Sequence, residues 1–146
     1  MVTNPVRLSE TDFPEIIDVW EKSVVVSHCF LKPEEIAFYK PLVLKYALSE
    51  CMLFGIRENG KLVGFVGIRE HKVEMLFIHP ESFGKGWGSL LLAFAVKEQG
   101  CSLVDVNEEN PKAYAFYLKH GFVMFQRDES DDCGKPHPIL HLRRGE

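Results

Sequence analysis

The sequence predicts a mixed α/β fold in a single domain, residues 1–146: a mostly antiparallel central sheet flanked by about four helices. Three observations carry that expectation. Two amphipathic helical patterns open the chain. Two strand-like runs then flank Glu58-Asn59-Gly60-Lys61, the signature of an antiparallel hairpin with an Asn-Gly turn. Finally, a strand–helix–strand unit runs from Val73 to Val106. A connection of that kind joins parallel strands through a right-handed crossover, so the sheet must be mixed.

The elements follow in order. The first helix is expected over Thr11 to Ser23, with Phe13, Ile16, Ile17 and Trp20 on one face. Ser9 or Thr11 is placed to cap it, and Asp12 and Glu15 suit the positive end of its dipole. An apolar stretch containing His28 separates it from a second helix, Pro33 to Leu48, opened by Pro33 and Glu34. Strands are expected over Met52–Arg57, Leu62–Ile68 and Val73–Ile78, the last ended by His79-Pro80. A third helix, Gly86 to Gln99, is closed by Gly100. A strand at Leu103–Val106 precedes a helix from Pro111 to His120, with proline in its first turn and Gly121 past its end. Phe122–Arg127 and Ile139–Leu142 close the sheet.

Composition narrows the function. Hydrophobic residues are 46% and charged residues 26% of 146, the balance of an ordinary globular chain. The formal net charge of −4 argues against a nucleic-acid partner, which requires a basic field. No apolar run approaches the roughly 18 residues of a membrane span, and the first residues carry no apolar signal core. Cys29, Cys51, Cys101 and Cys133 are scattered, with no pair at metal-ligand spacing. The expectation is a cytoplasmic protein with reduced thiols and no metal.

The strongest local signal is Ile78-His79-Pro80-Glu81-Ser82-Phe83-Gly84-Lys85-Gly86-Trp87-Gly88-Ser89, where a strand ends, three glycines alternate and a helix begins. Glycine lets backbone approach a ligand closely. A helix start offers unpaired N–H groups and partial positive charge, which suit a pyrophosphate. A plain glycine-rich loop with no ligand fits the same residues. A Walker loop does not, because no Gly-Lys-Ser/Thr closes the turn, and the glycine spacing also departs from the dinucleotide-binding fingerprint.

A second segment, Asn107 to Phe122, reads at face value as a capped amphipathic helix: Asn110 at the cap, Ala113, Phe116 and Tyr117 on the buried side. It also has the pattern N-x-x-A-x-x-x-Y-x-x-x-G-F, with Asn110, Ala113, Tyr117, Gly121 and Phe122 all present. Together with Gly84-Lys85-Gly86-Trp87-Gly88, this resembles the GNAT N-acetyltransferase superfamily, whose turn reads Arg/Gln-x-x-Gly-x-Gly/Ala. Phe83 stands where that turn begins with Arg or Gln. Ser23 to Leu31, Leu76-Phe77-Ile78, Asn107 and the tail Asp131 to Pro138 extend the likeness to the YjaB-like bacterial subgroup and to nearly the whole chain.

The resemblance implies a V-shaped splay between two parallel strands and an acetyl-CoA site. In it Gly84, Lys85, Gly86, Trp87, Gly88 and Ser89 hold the pyrophosphate, with Asn110 and Tyr117 nearby. The backbone of Leu76, Phe77 and Ile78 would pair with the pantetheine arm as an added strand. It further implies direct acetyl transfer to an amine in a ternary complex. Tyr117 then stabilises the leaving thiolate, unless it is only a packed core tyrosine. Glu74 is the candidate base, although an exposed strand carboxylate or a water chain explains it as well. His28, Phe30, Asn107 and His137 are candidates for the acceptor pocket. The acceptor would be an amine on a small molecule or peptide, and the protein a monomer or homodimer. A non-catalytic acyl-CoA-binding module on the same fold is the alternative reading.

Overall fold

The structure, a computed structural model, describes residues 4–27, 31–131 and 133–145, and of residues 46–48 the backbone only. The chain forms two compact units, 1–101 and 102–146. The four expected helices and six expected strands are present, joined by one further short strand.

The first unit holds α1 (Phe13–Ser27), α2 (Pro33–Glu50) and α3 (Trp87–Gln99) with β1 (Val6–Arg7), β2 (Met52–Glu58), β3 (Lys61–Arg69) and β4 (Lys72–Ile78). The strands are antiparallel in the order β1-β2-β3-β4. The hairpin turn forms as the sequence predicts: Asn59 and Gly60 both take positive φ, 51° and 80°, which suits the twist of the flanking strands. β3 is buried on both faces from Leu62 to Ile68. On one face Phe65 joins Ile16, Val19, Trp20 and Val24 of α1 and Ile36 of α2, with Met75 and Phe77 of β4 against them. On the other, a Cβ built at Gly64 would stand 2.5 Å from Ile78 Cδ1 and 3.4 Å from Leu91 Cδ1 of α3. Gly64 is therefore a packing glycine, and a methyl there would force Ile78 to move.

Two readings of this unit need correction. α1 runs to Ser27, four residues beyond its expected end, because Val24 continues the buried face set by Ile16 and Trp20. Packing overrides the weak helix preference of Val24-Val25-Val26. β1 was not foreseen: it is two exposed residues, too short to show alternation. The predicted cap survives in altered form. Ser9 N–H donates to Asp12 Oδ2 (2.8 Å) at the head of a short 3₁₀ turn before α1.

The second unit holds β5 (Leu103–Asn107), α4 (Pro111–Lys119), β6 (Phe122–Asp128) and β7 (Ile139–Arg144), its strands antiparallel in the order β5-β7-β6. Val104, Val106, Leu140, Leu142, Phe122 and Tyr117 are buried. α4 begins as its sequence dictates: Asn110 Oδ1 accepts from Ala113 N–H (3.2 Å), and Pro111 occupies the first turn. Gly121 leaves the helix at φ +90°, a dihedral that favours glycine. Across the three strands, His141 lies between two carboxylates, Nδ1 2.6 Å from Asp105 Oδ1 and Nε2 2.7 Å from Asp128 Oδ2. Burial alone would lower its pKa, but hydrogen bonds and charge from Asp128 and Asp105 outweigh that and raise it.

No helix among the described residues is long and apolar enough to cross a membrane.

Candidate active site

β4 and the turn after it form one continuous surface of the first unit. Within that unit β4 pairs only with β3, so backbone groups on its other edge at Leu76, Phe77 and Ile78 are not taken up by β3. His79 then fixes the exit. Its N–H donates to Val63 O (2.7 Å) and its Nδ1 accepts from Glu81 N–H (3.2 Å), opening a 3₁₀ turn over Pro80–Ser82. His79 is buried, and the sequence reading gave it no role beyond ending the strand.

Gly84 and Gly86 both take positive φ, 78° and 83°, and a Cβ at either would meet nothing within 4 Å. Glycine is required at these positions by backbone conformation, and the space beside them is open. Leu90 N–H is the first to return to the new helix, donating to Gly86 O (3.1 Å). The N–H groups of Trp87, Gly88 and Ser89 lie in the first turn of α3, where helix geometry gives them no intrahelical acceptor. The Trp87 indole Nε1 is buried with no hydrogen-bond partner among the described residues, an orphan donor at the head of α3. Lys85 Nζ is 3.8 Å from Glu58 Oε1, so its charge is partly balanced. Phe83, which departs from the family pattern, is exposed. These features suit a polyanion such as the pyrophosphate of CoA.

Glu74 occupies a break in the β4 ladder. Gly67 faces Met75 and Ile68 faces Val73, which makes Glu74 the extra residue of a bulge. Such a bulge re-aims a side chain. Val73, opposite Ile68, shares its face, whereas Met75 packs with the α1–α2 core. Glu74 lies 4.0 Å from Lys72 Nζ at its Oε1. Near it is Cys51, whose thiol is pushed up to about 11 by burial first and then by the Glu74 charge. His71 sits in the β3–β4 turn with φ +65° and is exposed.

In the second unit Tyr117 is buried on α4, 7% exposed, edge-on to Phe116 (5.2 Å) and Phe122 (5.8 Å). Burial raises its pKa, so the phenol stays neutral at physiological pH and keeps a proton to donate. No hydrogen bond engages its hydroxyl among the described residues. Asn110 uses its side-chain oxygen for the α4 cap. At the β5–α4 loop Asn107 Oδ1 accepts from Glu109 N–H (2.9 Å), and Glu109 Oε1 lies 2.6 Å from buried His137 Nδ1. Two candidate acceptor residues, Asn107 and His137, thus meet through Glu109, which sequence reasoning missed. Its distance of 28 residues from His137 left no local signal. His28 and Phe30 lie outside the described residues.

A strand leading into a left-handed glycine turn at a helix start, and a buried tyrosine on an Asn-capped helix, are the two features on which the sequence resembles an acetyltransferase. The profile of the acetyltransferase (GNAT) domain matches residues 49–124. The chain belongs to the GNAT acetyltransferase family and is an enzyme of that class. It is 32% identical over 142 residues to peptidyl-lysine N-acetyltransferase YjaB of Salmonella typhimurium, covering 97% of this chain and 98% of that protein. The solution structure of apo YjaB from Escherichia coli superposes with a TM-score of 0.88 at 34% identity, covering 98% and 97% of the two chains. The PaiA N-acetyltransferase of Thermoplasma acidophilum, solved with coenzyme A, shares the fold with a TM-score of 0.71 at 22% identity, covering 98% and 99%. The α/β fold read from the sequence is therefore the fold of the family, and acetyl-CoA is the family's acyl donor.

Proposed function

We propose that this protein transfers the acetyl group of acetyl-CoA to the side-chain amine of a peptidyl lysine, by direct attack within a ternary complex. The observation that carries the reading is the continuity of one surface. The end of β4 at Leu76–Ile78 runs into the positive-φ turn at Gly84 and Gly86 and then into the first-turn N–H groups of α3. An extended arm with a peptide-like amide pattern fits the first part, and a pyrophosphate fits the second. The lysine acceptor is supported by the named activity of the YjaB relative.

The roles follow from the chemistry. Lysine has a pKa of about 10.4 and attacks only as the free amine. Glu74, re-aimed by its bulge, takes the ammonium proton. As the C–N bond forms and the C–S bond breaks, the Tyr117 phenol donates a hydrogen bond to the departing thiolate, and the second proton, shed by the new amide nitrogen, ends on that sulfur. Tyr117 acts as a donor and not as a full acid, because burial holds its proton more tightly than an ordinary phenol does. Asn107 and His137, linked through Glu109, are the candidates for contact with the acceptor.

The test is incubation with acetyl-CoA and lysine-bearing peptides, following thiol release and locating the acetyl group by mass spectrometry. Peptides acetylated on the lysine side chain, with matched thiol release, support the reading. Release with a small polyamine but with no peptide would refute the peptidyl acceptor. Acetyl-CoA binding with no release to any amine would favour the binding-module alternative.

A further inference from the structure

Lys22, Lys40, Lys61 and Lys85 each lie beside a carboxylate, with side chains at least 40% exposed. Lys72 is different. Its side chain is 26% exposed, and the carboxylate it meets is Glu74, the base proposed above, Nζ to Oε1 4.0 Å. Both residues lie on β4, two positions apart, and the strand carries them together. The chain thus holds a lysine ammonium of its own beside the carboxylate that is to deprotonate an acceptor lysine. The separation is about 1 Å longer than the roughly 2.6–3.2 Å of a proton-transfer contact, a looseness common before substrates bind. The flexible four-carbon stem of lysine can close it.

We propose that Lys72 is an internal acceptor: the enzyme transfers an acetyl group from acetyl-CoA to its own Lys72 side chain. The inference rests on the lysine acceptor and on Glu74 as base. Glu74 takes one proton from the Lys72 ammonium. The freed amine forms a C–N bond to the thioester carbon, the C–S bond breaks, and the second proton, shed by the new amide nitrogen, ends on the departing sulfur. The products are an acetylated Lys72 and free CoA. An amine tethered at the site needs no encounter, so it reacts at a high effective concentration whenever no external acceptor is bound. The other nucleophile near Glu74, Cys51, is a poor rival, because burial and then the Glu74 charge keep its thiol protonated.

The test is incubation of the full chain with acetyl-CoA and no peptide, followed by intact mass and peptide mapping. One acetyl group is expected, on Lys72, appearing with a first-order rate constant that does not change with protein concentration. A saturating lysine peptide should slow it, since the two amines compete for one base. Glu74→Gln should slow it by about 10²-fold. A rate that rises with protein concentration overturns the proposal, because one molecule is then acetylating another. So does acetylation spread equally over Lys22, Lys61 and Lys72, which is unassisted chemistry, or a label removed by hydroxylamine, which is a thioester on Cys51. If Glu74→Gln unfolds, peptide competition on the unaltered chain decides instead. Peptide acetylated with Lys72 untouched overturns the internal acceptor alone. Lys72 acetylated with no peptide modified refutes the external acceptor and leaves the internal one standing. Neither amine modified overturns both.

Discussion

Replacing Tyr117 with phenylalanine separates chemistry from structure. The ring stays, and with it the edge-on contacts to Phe116 and Phe122. Only the hydroxyl is lost. Because no hydrogen bond engages that hydroxyl among the described residues, its removal breaks none. The hydroxyl is not a buried atom left without a partner, as Trp87 Nε1 is, so the variant's melting temperature should hold. Turnover should fall. Loss of one positioned donor to a developing anion is worth roughly 10²-fold, about 2.7 kcal/mol at 1.36 kcal/mol per decade. Affinity for acetyl-CoA should barely change, since the hydroxyl acts on the sulfur as charge develops there. Melting, cofactor affinity and turnover are measured on the same preparation. Normal turnover would remove Tyr117 from the mechanism. Reduced melting with normal turnover would make it a structural residue.

Three further outcomes are expected. Gly88→Asp should abolish the rise in melting temperature that acetyl-CoA gives the folded protein, because it sets a carboxylate in the first turn of α3; an undiminished shift in a folded variant would refute the cradle. Glu74→Gln should lower turnover by about 10²-fold or more while melting holds, and the loss should shrink when the assay pH is raised enough to free the amine; a pH-independent loss would assign Glu74 to positioning. His141→Gln should destabilise the protein more at acidic than at alkaline pH. The folded-state pKa of His141 is raised, so its stabilisation is fully present below the unfolded value of 6.5 and disappears as pH rises through the folded value. A destabilisation that grows with pH, read from chemical denaturation, would contradict the double carboxylate clamp.

The sequence revealed features encoded by neighbouring residues. The Asn59-Gly60 hairpin, the Asn110 cap, and the positive-φ Gly100 and Gly121 that end α3 and α4 are local, and each formed as read. Both motif segments were legible for the same reason. What escaped depends on register or on distant pairing. The bulge at Glu74 arises from how β4 lies against β3, and no spacing within β4 announces it. Asp105, Asp128 and His141 meet because three strands place them side by side. The end of α1 was misplaced because Val24 is indistinguishable from a linker residue until its contact with the core is known.

The bulge in β4 also separates what the sheet requires from what it merely carries. Val73 and Met75 already occupy opposite faces, as successive residues of an uninterrupted strand do. Excising Glu74 alone would close the ladder and leave both where they are. Excising either neighbour would turn part of the strand inside out. Glu74 is thus a removable residue in an otherwise unforgiving stretch. A shortened protein lacking it should still fold, and what that protein can no longer do would measure the purpose of a residue the ladder does not need.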